Sequence, residues 1–191
     1  MTKRITISTL DAMKASGDKF VMITAYDATF ARLASEAGAE TILVGDSLGM
    51  VLQGHETTIP VSLNAMVYHT ECVARAKPRS LIVADLPFMS FSNPDDALHA
   101  STQLMQAGAQ MVKLEGGTWL SDSINRLVER GVPVCAHLGL TPQSVNVFGG
   151  YRVQGRTPKA AKSILADAVE IQDAGASLLV LECIPAELAG D

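Results

Sequence analysis

The chain has little of what marks membrane, secreted or nucleic-acid-binding proteins. Its 191 residues contain no apolar run that approaches the roughly 18 residues a membrane span requires. The first 10 residues are polar and β-branched without an apolar core, which predicts no signal peptide. Lysine and arginine number 15 against 20 acidic residues, and no basic cluster offsets the net charge of −5. These absences argue against membrane and nucleic-acid partners.

Cysteine is also scarce. Cys72, Cys135 and Cys183 are odd in number, far apart and without a CxxC pair, so neither a disulfide framework nor a zinc cluster is indicated. Reduced thiols are typical of a cytoplasmic protein, and we expect that location. With 48% apolar and 18% charged residues, the composition is that of a globular protein with ample material for a core.

Short apolar runs alternate with helix-like segments along the whole chain. The runs are continuously apolar, which predicts strands of a parallel sheet that is buried on both faces. The predicted strands are residues 20–25, 41–45, 81–84, 111–114, 132–136 and 178–181. The predicted helices are residues 28–37, 62–76, 94–107, 121–130 and 158–174. Three helices end in an Ala-Gly-Ala step, at Gly38, Gly108 and Gly175, where a left-handed glycine cap is expected to lead into the next strand.

This alternation predicts an α/β protein with a (β/α)₈ TIM barrel, of which only about six β–α units are present. A closed barrel needs eight units in about 250 residues. An open doubly wound sheet is the alternative, but residues 25–28 lack the Gly-rich nucleotide fingerprint expected after its first strand. We therefore expect a single barrel domain over residues 1–191, truncated before strands 7 and 8. Strands one and six would then have unpaired edges.

An acidic residue follows four of the predicted strands. These residues are Asp46, Asp85, Glu115 and Glu182. The carboxyl ends of barrel strands converge on one mouth, and a buried carboxylate there needs a cation, a proton or a substrate. Oxygen donors suit Mg²⁺, with Asp46 and Asp85 as ligands and Glu115 as a third candidate through a water. The structural alternatives are a turn or helix cap for the aspartates, a salt bridge for Glu115 and a structural carboxylate for Glu182.

Two basic side chains accompany these acids. Lys113 lies two residues before Glu115, so the period of a strand places both on one face, where an ion pair is the alternative to a binding role. His137 follows the fifth predicted strand, where a merely satisfied polar residue is the alternative. A metal, a lysine, a histidine and a spare carboxylate together suit a 2-oxo acid, whose C3 proton the carboxylate removes. The irregular residues 138–156 follow directly and are expected to line or cover the site.

Longer stretches of the chain carry a family resemblance. They are ITAYD (23–27), LVGDSLGMVLQGHETTIPV (43–61), ADLPFMS (84–90), AGAQMVKLEGG (107–117), VPVCAHLGLTPQSVN (132–146), FGGYRVQGR (148–156) and LLVLEC (178–183). Together they cover essentially the whole chain, and several are specific rather than general to barrels. On these stretches the chain resembles the ketopantoate hydroxymethyltransferase (3-methyl-2-oxobutanoate hydroxymethyltransferase) family.

The resemblance implies a Mg²⁺-dependent barrel of the phosphoenolpyruvate/pyruvate type that self-associates as a decamer. It implies transfer of a hydroxymethyl group from 5,10-methylenetetrahydrofolate to 3-methyl-2-oxobutanoate, which gives 2-dehydropantoate for pantothenate and coenzyme A biosynthesis. By motif, it implies that Asp46 and Asp85 bind Mg²⁺ with Glu115 close to the metal, and that Glu182 accepts the proton. It also implies that the keto acid contacts Asp46, Ser47, Asp85, Lys113 and His137. Family members would continue for roughly another 70 residues, the length of two more β–α units and a tail.

Two alternatives remain open. The first is another metal-dependent lyase or mutase of the same barrel superfamily, acting on oxaloacetate or phosphonopyruvate without folate. Residues 137–146 and 148–156 argue against it because their sequences are specific to the hydroxymethyltransferases. The second is an inactive fragment that still binds keto acid and Mg²⁺, or that associates with full-length subunits.

Overall fold

The computed structural model describes residues 4–190, and over these residues parallel strands alternate with helices. The strands are β1 (Met22–Thr24), β2 (Thr41–Val44), β3 (Leu81–Asp85), β4 (Met111–Glu115), β5 (Val134–Gly139) and β6 (Leu178–Glu182). The helices are α1 (Ile7–Ser16), α2 (Ala28–Glu36), α3 (Leu48–Val51), α4 (Leu63–Arg75), α5 (Pro94–Ala107), α6 (Ser121–Glu129), α7 (Val145–Phe148), α8 (Pro158–Asp173) and α9 (Ala186–Gly190). Short 3₁₀ turns cover Thr118–Leu120 and Pro142–Ser144. None of these helices is long and apolar enough to cross a membrane.

The strands form one sheet in the order in which they follow along the chain. Each strand from β1 to β6 pairs in parallel with the next. A doubly wound sheet reverses its order at a switch point, so the consecutive order excludes that alternative and confirms the arc of a (β/α) barrel. Within the described residues, β1 and β6 are the two edges of the sheet, as predicted. The prediction of one domain truncated before strands 7 and 8 stays a prediction.

The glycine caps that join helices to strands are confirmed. Gly38, Gly108 and Gly175 have φ angles of 99°, 114° and 107°, in the left-handed region that favours glycine. At Gly108 a side chain would also meet the Cβ of Ala74 in α4, so this cap doubles as a close contact between α4 and α5. The repeated Ala-Gly-Ala step therefore marks real turns from helix to sheet.

The predicted element bounds needed several corrections. Strands β3, β4 and β6 each include their final acid, and β5 runs through His137 to Gly139, because these residues keep strand pairing at the mouth. Strand β1 is shorter than the predicted 20–25, being an edge strand with a single partner. Helix α1 was not predicted, because its polar, β-branched start resembles a strand. Thr6 begins this helix with a capping box to Thr9.

The core has two parts that together determine where polar side chains gather. The larger part lies between the outer face of the sheet and the helices, and includes Ile42, Leu104 and Ile124. The smaller part lies on the inner face of the arc, where Leu81, Val83, Met111 and Cys135 pack with Ile5 and Leu10 from the amino-terminal segment. This apolar packing closes the amino end of the arc and leaves the carboxyl end to the polar residues.

Candidate active site

The inner face of the central strands changes from apolar to charged toward the carboxyl ends. Because side chains alternate along a strand, Asp85 shares a face with Leu81 and Val83, and Lys113 and Glu115 share a face with Met111. On β5, His137 follows Cys135 on the same face in the same way. Asp85, Lys113, Glu115 and His137 are therefore brought together in one buried cluster, and the partly exposed Glu182 lies beside His137.

Lys113 and Asp85 form the central ion pair of this cluster. The two residues are register partners on β4 and β3, and Lys113 Nζ lies 3.0 Å from Asp85 Oδ1. The same Nζ lies 3.6 Å from Glu115 Oε1. Burial lowers the pKa of Lys113, but the charges of Asp85 and Glu115 outweigh burial and raise that pKa above its usual value. Lys113 is thus a permanent ammonium ion inside the site.

Asp46 contributes a second buried carboxylate directly after β2. Its backbone N–H donates to Asp85 Oδ2 over 3.0 Å, which ties the two strand ends together. Burial and the charge of Asp85 raise the pKa of Asp46 to about 7. The N-cap residue of α3 is Ser47, so Asp46 does not have the capping role that was its structural alternative. The carboxylates of Asp46, Asp85 and Glu115 therefore share the ammonium of Lys113. This leaves the cluster short of positive charge.

His137 connects this cluster to Glu182 on the edge strand β6. Its Nδ1 lies 3.2 Å from Lys113 Nζ and 3.3 Å from Glu115 Oε1, and its Nε2 lies 3.4 Å from Glu182 Oε2. Burial lowers the pKa of His137, but the contacts with Glu115 and Glu182 outweigh it and raise the pKa. Burial likewise raises the pKa of Glu115, and His137 and Lys113 together lower it below its usual value. The Glu182 side chain is 40% exposed, whereas those of His137 and Glu115 are almost fully buried.

Ser47 lies at the rim, beside Asp46. Its Oγ is 2.8 Å from the hydroxyl of Tyr26, whose backbone carbonyl is 2.9 Å from His69 Nδ1. Burial raises the pKa of Tyr26, so its phenol stays protonated. Sequence reasoning passed over Tyr26, although it stands in the ITAYD stretch at the end of the first strand.

Gln143 is a further site residue that was not predicted. It is 6% exposed, its side-chain amide donates to Asp46 Oδ2 over 2.8 Å, and its backbone N–H donates to Glu115 Oε2 over 3.0 Å. The available signal was its position in the specific stretch 132–146, directly after β5. A glutamine in an irregular loop has no periodicity that would show which way it faces.

The donor set suits a hard divalent cation held by few protein ligands. Within residues 4–190 no three His, Cys, Asp or Glu side chains form a ready-made metal cage. Mg²⁺ typically takes one or two carboxylates and leaves its other positions to water and substrate. Among the residues that the structure describes, Asp85 Oδ1 is buried without a hydrogen bond and has only the ion pair with Lys113. Together with the deficit of positive charge, this makes Asp46 and Asp85 fit the predicted ion.

Consecutive parallel β–α units with a charged cluster at their carboxyl ends define the class of (β/α)-barrel proteins. Solved structures agree: the chain superposes on 2,3-dimethylmalate lyase, a PEP mutase/isocitrate lyase superfamily member, with a TM-score of 0.69 and 20% identity. It also superposes on phosphonopyruvate hydrolase in complex with oxalate and Mg²⁺, with a TM-score of 0.70 and 16% identity. These matches cover 97% and 92% of this chain but only 64% and 62% of those structures, less than two thirds of their length. Identities this low establish the fold alone.

Sequence comparison identifies the family within that class. The ketopantoate hydroxymethyltransferase family model matches residues 4–191. The 3-methyl-2-oxobutanoate hydroxymethyltransferase of Marinobacter nauticus is 60% identical over 185 residues, which are 97% of this chain and 70% of that protein. The protein of the same name from Ralstonia pickettii is 57% identical over 189 residues, which are 99% of this chain and 70% of that protein. The chain belongs to the ketopantoate hydroxymethyltransferase family, as the resemblance had predicted.

Proposed function

We propose that this chain binds 3-methyl-2-oxobutanoate and Mg²⁺ at the mouth of the arc and transfers to the keto acid a hydroxymethyl group from 5,10-methylenetetrahydrofolate. The product is 2-dehydropantoate. The observation that supports the proposal most strongly is the buried cluster of Asp46, Asp85, Lys113, Glu115 and His137 at adjacent strand ends. Family membership supports the identity of the substrates, and the cluster supports the chemistry.

The basic residues of the cluster suit the recognition of a keto acid. The Lys113 ammonium is buried, and a small anion beside it would replace water with a charge-assisted contact. His137, whose Nδ1 lies 3.2 Å from Lys113 Nζ, and the Ser47 hydroxyl add further donors. The keto acid would thus contact Ser47, Lys113 and His137 as well as the side of the mouth that Asp46 and Asp85 line.

Asp46 and Asp85 would hold Mg²⁺, with Glu115 close to the metal through a water. When bound, Mg²⁺ supplies a Lewis acid that makes the C3 proton of the keto acid more acidic. The two aspartates come from different strands, and the hydrogen bond from the Asp46 N–H to Asp85 Oδ2 sets their spacing before any ion arrives. Such preorganisation is what an electrostatic site requires.

Glu182 is proposed as the base that removes the C3 proton. It is the least buried of the acids and lies next to His137, so it can reach substrate from the open side of the mouth. The C3–H bond breaks, the proton moves to Glu182, and C3 forms the new bond to the one-carbon unit of the folate. The two C–N bonds that join this unit to the folate break, and water supplies the hydroxyl oxygen. The proton taken by Glu182 and one proton of the water go to the two folate nitrogens, which releases tetrahydrofolate. A donated contact from His137 would hold the Glu182 carboxylate in place.

The assembly and the cellular location stay predictions. We expect self-association, decameric by the family resemblance, and a cytoplasmic location. The alternative function, a chain that binds keto acid and Mg²⁺ without turnover, is tested alongside the proposed one.

One experiment separates these two functions. Calorimetric titration of 3-methyl-2-oxobutanoate into the chain with and without Mg²⁺ measures binding, and formation of 2-dehydropantoate from added methylenetetrahydrofolate measures turnover. The proposed enzyme shows Mg²⁺-dependent binding and product. Binding without product, while a chain extended by the remainder of the Marinobacter nauticus relative makes product, indicates the fragment. Equal affinity with and without Mg²⁺ would contradict both.

A further inference from the structure

We propose that Gln143 is a positioning residue that holds the Asp46 and Glu115 carboxylates in the arrangement required for the metal. This inference rests on the proposed function. Gln143 lies on the 3₁₀ turn Pro142–Ser144, and three of its hydrogen bonds reach the ends of β2, β3 and β4. A single residue from the loop after β5 thereby connects three other loops of the mouth.

Both N–H groups of the Gln143 side-chain amide donate hydrogen bonds inside the site. Its Nε2 donates to Asp46 Oδ2 over 2.8 Å and to the backbone carbonyl of Leu86 over 2.9 Å. A carbonyl only accepts, so the amide nitrogen must face Leu86, and this settles the orientation of the amide. The contact with Asp46 engages Oδ2, and within the described residues it leaves Oδ1 without a hydrogen bond.

The backbone of the same residue positions Glu115. The N–H of Gln143 donates to Glu115 Oε2 over 3.0 Å, and the other oxygen, Oε1, faces Lys113 and His137. Pro142 restricts the backbone directly before it, and the N–H of Ser144 donates to the carbonyl of Thr141. The turn is therefore rigid, and its N–H points at Glu115 whatever side chain stands at position 143.

Because Gln143 contacts Asp46 through its side chain and Glu115 through its backbone, a substitution can remove the first contact and keep the second. Gln143→Met keeps the volume and the backbone N–H but removes both side-chain donors. Asp46 then loses its only side-chain hydrogen bond within the described residues and can rotate. Loss of a partner that orients a metal ligand typically weakens metal affinity by about 10- to 100-fold. Gln143→Asn keeps the amide on a shorter arm and is expected to lose less.

The test measures Mn²⁺ binding to the 191-residue chain by electron paramagnetic resonance, together with the thermal unfolding midpoint without metal. Mn²⁺ stands in for Mg²⁺ as an octahedral, oxygen-seeking probe. We expect Gln143→Met to weaken Mn²⁺ binding at least about tenfold. Thr141→Val is a buried change in the same loop, and within the described residues the Thr141 hydroxyl forms no hydrogen bond to the acids, so this variant should leave Mn²⁺ binding unchanged. The Mn²⁺ affinity of Gln143→Asn should lie between those of the other two variants. Gln143→Asn is used in place of Gln143→Met if that variant fails to fold.

Each outcome of the Mn²⁺ measurement either supports or overturns the positioning role of Gln143. A weaker Mn²⁺ affinity in the Gln143 variants, but not in Thr141→Val, supports the positioning role. Unchanged Mn²⁺ affinity in a Gln143 variant with a lowered unfolding midpoint would show a purely structural glutamine and overturn the inference, while the metal site stands. Failure of the unsubstituted chain to bind Mn²⁺ would overturn the metal site of the proposed function, and the positioning role with it.

Discussion

Asp85 and Lys113 face each other across the β3–β4 pairing, and Lys113 Nζ lies 3.0 Å from Asp85 Oδ1 where both side chains are almost fully buried. Strand register brings the two Cα atoms side by side, so the ion pair is built into the sheet. Because Lys113 is the one fixed cation among the buried acids of the cluster in residues 4–190, the pair dominates the charge of the mouth.

Removing the ammonium should therefore be costly. Lys113→Met leaves Asp85, Asp46 and Glu115 without their common counter-ion, and breaking a buried pair typically costs about 3–5 kcal/mol. We expect a loss of that order in the free energy of unfolding at pH 7, measured by urea denaturation. Adding Asp85→Asn to Lys113→Met should recover part of the loss. A double variant no more stable than Lys113→Met would contradict this coupling.

Ionisation of Asp46 should cost the metal-free chain stability as pH rises from about 4 to about 7. Folding raises the pKa of Asp46 from 3.8 to about 7, so the folded state binds more protons than the unfolded state across that window. Asp46→Asn cannot ionise and still accepts from Gln143. We expect it to be more stable than the parent at pH 8, by on the order of 4 kcal/mol, and little different at pH 4. Asp173→Asn, at an exposed helix position, is the matched control for the same change of a carboxyl to an amide.

Gly139 should tolerate no side chain. It has a φ of 87°, and a Cβ there would meet the backbone carbonyl of Glu182 and the side chain of Ile184. Gly139→Ala should therefore disrupt the pairing of β5 with β6 and lower the free energy of unfolding by about 2 kcal/mol or more. Gly149→Ala is the control, because Gly149 has a φ of 67° with nothing within 4 Å. It should lose only about 1 kcal/mol from backbone strain. Equal losses would show that the contact with Glu182 is unimportant.

Glu182→Gln should separate binding from proton removal. The amide keeps the shape of the side chain but cannot accept the C3 proton. Exchange of that proton into D₂O, followed by NMR in a chain that exchanges it, should slow by about 100-fold or more. Mg²⁺-dependent affinity for the keto acid should stay the same. Glu187→Gln, on the exposed side of α9, should exchange at the parental rate. Unaltered exchange in Glu182→Gln would assign the base elsewhere.

The edge strand β6 should be stabilised by further β–α units. Leu179 is 39% exposed on its outward face, whereas every residue of β3 and β4 is buried. In the 191-residue chain we expect Leu179→Ala to lower the free energy of unfolding by less than about 1 kcal/mol. In a chain extended by the remainder of a relative, the same substitution should lower it by about 2 kcal/mol or more. Leu104→Ala, in the buried interior of α5, should cost the same in both. Equal costs for Leu179→Ala would contradict coverage of this edge by the extension.

Much of the fold followed from local patterns, because each depends on a few neighbouring residues. Continuous apolar runs predicted the buried strands, and the Ala-Gly-Ala steps predicted where helices turn into strands. Period two placed Lys113 and Glu115 on one face. The bounds at the mouth were less accurate, because a charged residue at the end of a strand breaks the apolar pattern while its backbone still pairs.

By itself, the sequence determined the β–α repeat, the family and the acids and bases of the mouth, because those features are written in residue types at short spacings. Only the tertiary structure decided how the residues meet. It placed Asp85 against Lys113 through strand register, carried Gln143 across the mouth to an aspartate 97 residues away, and excluded a doubly wound sheet by the order of its strands. The physical reason is that contacts between distant segments depend on how the backbone folds in space, and no local spacing records them.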